Sequence, residues 1–344
     1  MKHGIRTGSI AALLAALLCG AQPALAQTQT WRFNQWLPAS HFLIPRVWTA
    51  WGNEVTKATG GRVKVEFTGS SLGAPNRQYD MAGEGVADVV WGPHAITPGR
   101  FPFHDFVTLP FLGVSGEAAS VAYWRVYDKF YAKQEAGDEK RIKLLSLHVH
   151  PPGEIYSRKP AARLADLKGQ KIRSVSATTT LIAEKFGMVP VPAPSTKVYE
   201  MLSSGVTDAT FFDTYAVVSY NLHQHVQHWM RVRGGFYTTS FFLAVGRGKW
   251  DALSPADQKA IDAVSGEAFA RLAGSIWDEE AKGAEDLMAK RGVKISWLDG
   301  AELEHARKEL APAERDWVEK IKSRGVDGAA VMRAYREEVG RYKP

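Results

Sequence analysis

The stretch "YEMLSSGVTDATFFD", from Tyr199 to Asp213, determines how the chain is expected to fold. Its first residues favour a helix, and Gly205 is a typical helix stop. The segment "TDATFF" that follows favours a strand, so a tight turn is expected between the two. The stretch "YDMAGEGVADVVW", from Tyr79 to Trp91, matches it at an offset of 120 residues, with Tyr, an acid, Met, Gly, Val and Asp in common. We interpret the two stretches as copies of an internal structural repeat.

Each copy ends a longer pattern of alternating strands and helices. Before the first copy, "WRFNQW" and "RVKVEF" read as strands around a helix that begins near Pro45, and a second helix covers residues 76–84. Before the second copy, "KIRSV" and "VPVPA" read as strands, with helices at 178–186 and 196–203. This βαβαβ order predicts, twice, a parallel sheet with helices on its faces.

The repeat implies an α/β protein of two lobes with a ligand crevice between them. We expect each lobe to contain a mixed, mostly parallel sheet with helices on both faces. Trp91 and Phe211 occupy matching places at the carboxyl ends of their strands, and open α/β sheets place their ligands at this edge. Phe212 and Asp213 follow directly and are candidates for the same crevice.

A long helix is predicted downstream of both copies. Ser254, Pro255 and Asp257 form a helix start, and Lys290 to Gly292 form a stop. An unbroken helix of this length would extend roughly 50 Å, which exceeds one small lobe. We therefore expect it to contact both lobes.

The first residues predict export. Lys2 and Arg6 precede an apolar run, and Ala24 to Ala26 form a small-x-small cleavage site, as in a secretory signal peptide. Cleavage would leave 318 of 344 residues, remove the single cysteine, Cys19, and lower the net charge from +7 to +5. Because the basic residues are scattered, nucleic acid is not an expected partner.

Arg173 is the most informative single residue. It lies inside the predicted strand "KIRSV", where a charge is costly unless it is paired. An edge-strand arginine in solvent is one interpretation. The other is a guanidinium at the crevice that binds a ligand carboxylate.

Five segments, which span nearly all of the chain after the signal peptide, resemble one known family. They are "TGGRVKVEFTGSSLGA", "GEGVADVVWG", "LADLKGQKIRSV", "TKVYEMLSSGVTDATFF" and "KWDALSPADQKAI". In this order they are similar to the solute-binding proteins of tripartite ATP-independent periplasmic (TRAP) transporters, the DctP-like family. The resemblance implies lobes that close on an organic acid, Arg173 as the carboxylate-binding arginine, and delivery to small and large membrane subunits. It implies no cofactor and no catalysis.

With this resemblance, the chain is predicted to divide as follows: signal peptide, 1–26; lobe I, 27–150 with roughly 239–275; lobe II, 151–238 with roughly 276–325; C-terminal helical tail, 326–344.

Two departures from the family pattern concern the ligand. The family commonly carries Glu and Asn where this chain has Phe211 and Phe212, and many dicarboxylate binders offer a second arginine where this chain reads "HVHPPGEIY". We therefore expect an aromatic or apolar monocarboxylate, with a C4-dicarboxylate or another organic acid as the alternative.

The remaining candidates for ligand contact are aromatic or polar residues near predicted strand ends. We expect two or three of the aromatic side chains to touch ligand and the others to be core. The candidates besides those above are Asn34, Trp36, His94, His150, Tyr215 and Tyr237.

Two other functional classes were weighed. His223, His225 and His228 suggest an exported metal-binding protein, but on a predicted surface helix only His225 and His228 share a face, and no acid or cysteine completes a set. A periplasmic hydrolase is the other class, although the sequence contains no nucleophile elbow, no dinucleotide loop and no P-loop.

Overall fold

The computed structural model describes residues 28–134 and 137–342, and the expected signal peptide lies outside them. Two sheets form in these ranges. The first contains β1 (Gln29–Phe33), β2 (Val63–Phe67), β3 (Val89–Pro93), β4 (Ile142–Val149) and β10 (Ser240–Gly246), in the order β2-β1-β3-β10-β4. The second contains β5 (Glu154–Ser157), β6 (Lys171–Ser174), β7 (Val189–Pro192), β8 (Ala209–Phe212), β9 (His228–Val232) and β11 (Lys294–Leu298), in the order β11-β9-β5-β8-β6-β7.

The α-helices of the described residues surround these sheets. They are α1 (Thr49–Ala58), α2 (Gln78–Gly83), α3 (Gly116–Phe130), α4 (Ala177–Lys185), α5 (Val198–Ser203), α6 (Thr214–Ser219), α7 (Arg247–Asp251), α8 (Pro255–Val264), α9 (Gly266–Lys290), α10 (Gly300–Lys322) and α11 (Gly328–Arg341). A π-helical turn, Leu43–Trp48, leads into α1. None of the helices described is both long enough and apolar enough to span a membrane.

Both sheets are mixed and mostly parallel, as predicted. β1 pairs in parallel with β2 and β3, and β6 pairs in parallel with β7 and β8. β10 runs antiparallel to β3 and β4, and β5 runs antiparallel to β8 and β9. Each reversed strand follows a passage of the chain between the sheets: β5 follows the passage after β4, and β10 follows the passage after β9.

The two copies of the repeat adopt the same local structure. In each, a six-residue helix ends before a glycine with positive φ, Gly85 at 73° and Gly205 at 76°, and a strand follows. The shared aspartate has the same role in both copies. Asp88 accepts a hydrogen bond from the backbone N–H of Arg32 at 2.8 Å, and Asp208 accepts one from that of Lys171 at 3.1 Å. Each aspartate therefore ties the repeat to the neighbouring parallel strand.

The predicted single long helix is wrong in one respect, because the structure has two helices there. Ser254 accepts from the backbone N–H of Asp257 and begins α8 as expected. The helix then ends at Ser265, and Gly266 has a φ of 52°, outside the helical region. The hydroxyl of Ser265 accepts a hydrogen bond from the indole of Trp51 at 3.1 Å, which holds the break against the core of the first lobe.

The second of these helices, α9, contacts both lobes. It packs against α3 and β4 of the first lobe and against α6 of the second. Asp278 accepts hydrogen bonds from the first backbone N–H groups of α3, on Gly116 at 2.6 Å and Glu117 at 3.0 Å. An acidic side chain at a helix N-terminus satisfies donors that have no partner within the helix. This bond fixes α9 to the first lobe.

Gly274 determines how closely α9 can approach α3. A Cβ at this position would lie 2.5 Å from Glu117 Cα and 2.5 Å from the carbonyl oxygen of Gly116. Gly274→Ala should lower the free energy of unfolding by about 1–3 kcal/mol, because the clash outweighs the better helix propensity of alanine. Denaturant unfolding measures the change.

Gly283 on the same helix is the matched control, since a Cβ there meets nothing within 4 Å. Gly283→Ala should stabilise the protein by up to about 1 kcal/mol. Equal effects of the two substitutions would contradict the close approach.

Candidate functional site

A cavity of about 540 Å³ lies between the two sheets, at the carboxyl ends of the parallel strands. Residues after β1 and β3 of the first lobe and after β6, β7 and β8 of the second lobe form its walls, together with the residues around the start of β10. This is the edge at which open α/β sheets place their ligands. Its volume lies in the range of small-molecule sites, about 300–1,000 Å³.

Arg173 lies in this cavity as a fully buried charge. Its Nε donates to the carbonyl oxygen of Ala193 at 3.0 Å, and its Nη1 donates to that of Phe211 at 3.1 Å. The guanidinium carbon lies 4.9 Å from the ring centroid of Phe212. Nη2 has no hydrogen-bond partner in the part of the chain that the structure describes. Burial lowers the pKa of Arg173, but a guanidinium remains protonated in proteins. The site therefore offers a positively charged donor with spare capacity.

Tyr237 lies next to Arg173 and lines the same cavity. Its ring occupies the space of the side chain that Gly153 lacks, since a Cβ there would lie 2.2 Å from Tyr237 Cε1. The two residues also form an isolated antiparallel β-bridge. Burial raises the pKa of Tyr237, so its hydroxyl remains a neutral donor.

Asp213 and His150 add two buried polar groups. Asp213 begins α6, and its Oδ1 accepts from the backbone N–H of Ala216 at 2.9 Å. His150 bonds through Nδ1 to the carbonyl oxygen of Pro151 and through Nε2 to the hydroxyl of Thr239, at 3.0 Å. Burial raises the pKa of Asp213 and lowers that of His150.

Aromatic rings form much of the remaining wall. The rings of Trp36 and Trp91 stack with centroids 4.4 Å apart, and the indole of Trp36 donates to the carbonyl oxygen of Trp91 at 3.0 Å. Phe241 and Trp277 are nearly parallel, with centroids 6.3 Å apart. A flat apolar ligand would bury its surface among these rings.

The structure brings together seven of the residues that the sequence singled out. Those that line the cavity are Trp36, Trp91, His150, Arg173, Phe212, Asp213 and Tyr237. The other four, Asn34, His94, Phe211 and Tyr215, lie outside its wall.

Phe211 is a core residue of the second lobe. It is fully buried, with the rings of Tyr237 and Phe236 at 6.1 and 6.3 Å. Successive side chains of a strand point to opposite faces of the sheet, so Phe211 and Phe212 do not share one environment. Phe212, at the end of β8, is the one that reaches the cavity.

Asn34 supports the first lobe from outside the cavity. Its side chain accepts from the backbone N–H of Leu72 and donates to Gln78, each at 2.9 Å. These bonds connect the segments after β1 and β2.

His94 is buried behind the cavity wall. It bonds to the hydroxyl of Tyr79 at 3.2 Å and stacks on His104, with ring centroids 3.9 Å apart. Tyr215 packs instead against Phe42, at 4.5 Å, on the face of α6 that contacts the first lobe.

Some residues that line the cavity were not singled out from the sequence. Among them are Tyr220, Thr239, Phe241 and Trp277. Trp277 lies in the long helix, whose apolar residues all fit the helical period, so no local signal separates it from core. His41 is mostly buried, which lowers its pKa to about 4 and keeps it neutral.

The predicted surface helix that carries three histidines is wrong. Asn221 has a left-handed φ of 57°, which ends the helical path after α6. His223 then lies in a short 3₁₀ turn, and His228 begins β9 and bonds to Ser296 at 3.1 Å. In the described ranges, no group of three or more His, Cys, Asp or Glu side chains could hold a metal ion.

The fold and cavity define a two-lobed solute-binding protein, and comparison with known proteins identifies the family. Residues 33–320 match the bacterial extracellular solute-binding proteins of family 7, known as DctP. The chain belongs to this family, the solute-binding proteins of TRAP transporters. The resemblance inferred from the sequence is confirmed.

One relative is similar over nearly the whole chain. The "outer membrane transporter protein TsaT" of Comamonas testosteroni is 30% identical over 95% of this chain and 96% of its own.

Two solved structures are also similar. A TRAP periplasmic solute-binding protein from Bordetella bronchiseptica, with bound (R)- and (S)-mandelate, has a TM-score of 0.87 at 30% identity and covers 91% of this chain and 99% of its own. A marine metagenome TRAP solute-binding protein specific for aromatic acids, crystallised with 3-hydroxybenzoate, has a TM-score of 0.84 at 30% identity, over 92% of this chain and 100% of its own.

His148 lies beneath the cavity and should make the protein acid-sensitive. It stacks on Phe241 at 5.1 Å, neither ring nitrogen has a partner in the described chain, and burial lowers its pKa to about 3. Its folded-state pKa is below its unfolded value, so its contribution is fully present above about pH 6.5 and is lost as the pH falls towards 3. His148→Phe should therefore reduce the loss of unfolding free energy between pH 7 and pH 4.5 by about 2–3 kcal/mol.

Denaturant unfolding at a series of pH values measures this change. His305→Phe is the control, since this side chain is exposed on α10. An unchanged pH profile for His148→Phe would contradict the assignment.

Proposed function

We propose that this protein captures a small aromatic monocarboxylate between its two lobes and delivers it to the membrane subunits of a TRAP transporter. The observation that carries the proposal is Nη2 of Arg173, a buried positive donor without a partner among the described residues, in a cavity lined by aromatic rings. A carboxylate pairs with a guanidinium by charge-assisted hydrogen bonds. The proposed carboxylate site consists of Arg173 and the hydroxyl of Tyr237.

The magnitudes favour an aromatic body for the ligand. A hydrogen bond to a charged group contributes about 1.5–3 kcal/mol net, whereas micromolar binding requires about 8 kcal/mol. Burial of apolar surface supplies about 25 cal/mol per Å². The rings of Trp36, Trp91, Phe212, Phe241 and Trp277 offer that surface in the cavity wall.

Two relatives support the same ligand class. The Bordetella protein holds mandelate and the metagenome protein holds 3-hydroxybenzoate, and both ligands are aromatic acids with one carboxylate.

The charge of the cavity favours a monocarboxylate over the C4-dicarboxylate alternative. Among the described residues that line it, Arg173 is the only arginine or lysine, and burial keeps His41 and His150 neutral. A second ligand carboxylate would enter a site that already contains Asp213 and offers no second fixed cation. Removing such a charge from water without a partner costs several kcal/mol.

We place the protein in the periplasm, after removal of residues 1–26. The family is extracellular, and the basic, apolar and small-residue segments of the N-terminus support export. The proposed partners are the small and large integral membrane subunits of the transporter. They would recognise the form in which the lobes have closed on the ligand.

Arg173→Met should weaken benzoate binding at least tenfold, because methionine keeps much of the apolar stem and removes the charged donor. Titration calorimetry measures the affinity. Lys171→Met, at the exposed start of the same strand, is the control and should bind as the wild type does. An unchanged affinity in Arg173→Met would refute the proposed carboxylate site.

Closure of the lobes should accompany binding. Small-angle scattering of the ligand-free protein should show a smaller radius of gyration after benzoate is added, because the lobes move together around the ligand. Mass spectrometry of acids extracted from the purified protein identifies any ligand bound in the cell. Saturation by ligand with no change in the radius of gyration would count against closure.

A further inference from the structure

The cavity contains acceptors as well as donors next to Arg173. Two donors line it: Nη2 of Arg173 is buried without a partner among the described residues, and the hydroxyl of Tyr237 is a neutral donor on the same wall. A carboxylate, which can only accept, satisfies both donors. The acceptors beside them require a different group.

Asp213 is the first acceptor. It is 4% exposed and lines the cavity, and the bonds that the described residues make to its carboxylate come from backbone N–H groups, those of Ala216 and of Asp213 itself. Arg173 and Asp213 interact electrostatically, yet they form no ion pair. Both side chains therefore line the cavity without bonding to each other. Atoms of a ligand can occupy that space.

Thr239 is the second acceptor, because its hydroxyl proton is already donated to His150. The carbonyl oxygen of Pro151 can only accept, so Nδ1 of His150 carries the proton of the neutral imidazole. Nε2 must then accept, and the hydroxyl of Thr239 donates to it at 3.0 Å. The oxygen of Thr239 keeps only lone pairs for the cavity. Thr239 and Asp213 can therefore each accept a hydrogen bond from a donor group of the ligand.

A carboxylate on a plain aromatic ring does not match this arrangement. It would satisfy Arg173 and Tyr237, but it would leave both acceptors without a donor. Buried polar groups left without partners cost about 1–3 kcal/mol each. A ligand with a hydroxyl on the carbon next to its carboxylate would supply the missing donor within a bond or two of the carboxylate oxygens.

We propose that the site selects aromatic 2-hydroxy acids, with Asp213 accepting the hydrogen bond of the 2-hydroxyl group and Thr239 offering a second acceptor beside it. This rests on the proposed function and narrows it from aromatic acids in general to a subclass. Asp213 becomes a specificity-determining residue, because its acceptor oxygens on the cavity wall favour acids that bring a donor over acids that bring only acceptors.

Three phenyl acids of nearly equal size test separately the effects of a donor, of hydrogen and of an acceptor at the carbon next to the carboxylate. Mandelate carries a 2-hydroxyl, phenylacetate carries hydrogen at that carbon, and benzoylformate carries a keto oxygen that can only accept. Titration calorimetry on the full mature chain at pH 8 should show one mandelate enantiomer binding about tenfold or more tightly than phenylacetate. Benzoylformate should bind most weakly. The inference is overturned if phenylacetate or benzoylformate binds as tightly as both mandelate enantiomers.

Asp213→Asn tests the residue itself. Asparagine is as good an N-cap as aspartate, so α6 keeps its capping bond, while the charge is lost and an N–H donor is gained. Phenylacetate and benzoylformate should bind more tightly than to the wild type, and the mandelate preference should fall to within about threefold. An unchanged order and spacing of the three affinities would exclude Asp213 as the selecting residue.

Asp327→Asn provides the matched control. Asp327 also caps a helix, with its Oδ1 accepting from the backbone N–H of Ala330 at 2.9 Å, but it lies at the start of α11, outside the cavity lining. This variant should keep the wild-type order of affinities. If Asp213→Asn does not fold, the comparison of the three acids on the wild type still decides the inference.

Different results would overturn the 2-hydroxy selectivity and the proposed function. Tight binding of phenylacetate with no gain from the hydroxyl would overturn the 2-hydroxy selectivity and leave the proposed function standing. Binding of none of the three acids, nor of benzoate, would overturn both.

Discussion

The buried charge of Arg173 is the constraint on which the other features of the cavity depend. A guanidinium can be buried only if the surrounding structure replaces its hydration. Here two backbone carbonyl groups, of Ala193 and Phe211, accept two of its N–H groups, and the ring of Phe212 packs against its face. These acceptors come from the ends of neighbouring parallel strands. The parallel pairing of β6 with β7 and β8 therefore positions the charge, and the two N–H groups of Nη2, which have no partner among the described residues, are left for a ligand.

The passages between the lobes form part of the same site. The chain leaves the first sheet after β4 and returns before β10, and these two passages carry His150, Tyr237 and Thr239. Gly153 and Tyr237 pair the passages directly as a β-bridge. The helix α9, which packs on both lobes, adds Trp277 to the cavity wall. The cavity is thus lined in part by the segments that connect the two lobes.

The sequence predicted much of the fold because its signals are local. These signals depend on neighbours only a few residues away. They are the helix stops at Gly85 and Gly205, the strands of β-forming residues and the capping serine before α8, and the structure contains all of them. The paired aspartates show why the repeat was visible. Asp88 and Asp208 each accept a backbone N–H of the adjacent strand, so the same residue recurs at the same place in both lobes. The errors came where one residue changes the path, at Gly266 and Asn221.

By itself the sequence determined the element order, the two lobes and the edge of the sheets that forms the crevice. Periodicity and glycine positions encode these properties along the chain. The tertiary structure alone decided which of two adjacent phenylalanines reaches the cavity, and it brought Thr239, Phe241 and Trp277 to the same wall as Trp91. It also determined that Nη2 of Arg173 has no partner among the described residues while the acceptors of Asp213 and Thr239 lie beside it. Which donors and acceptors remain unmatched depends on contacts between residues that are far apart in sequence, and these contacts leave no local pattern.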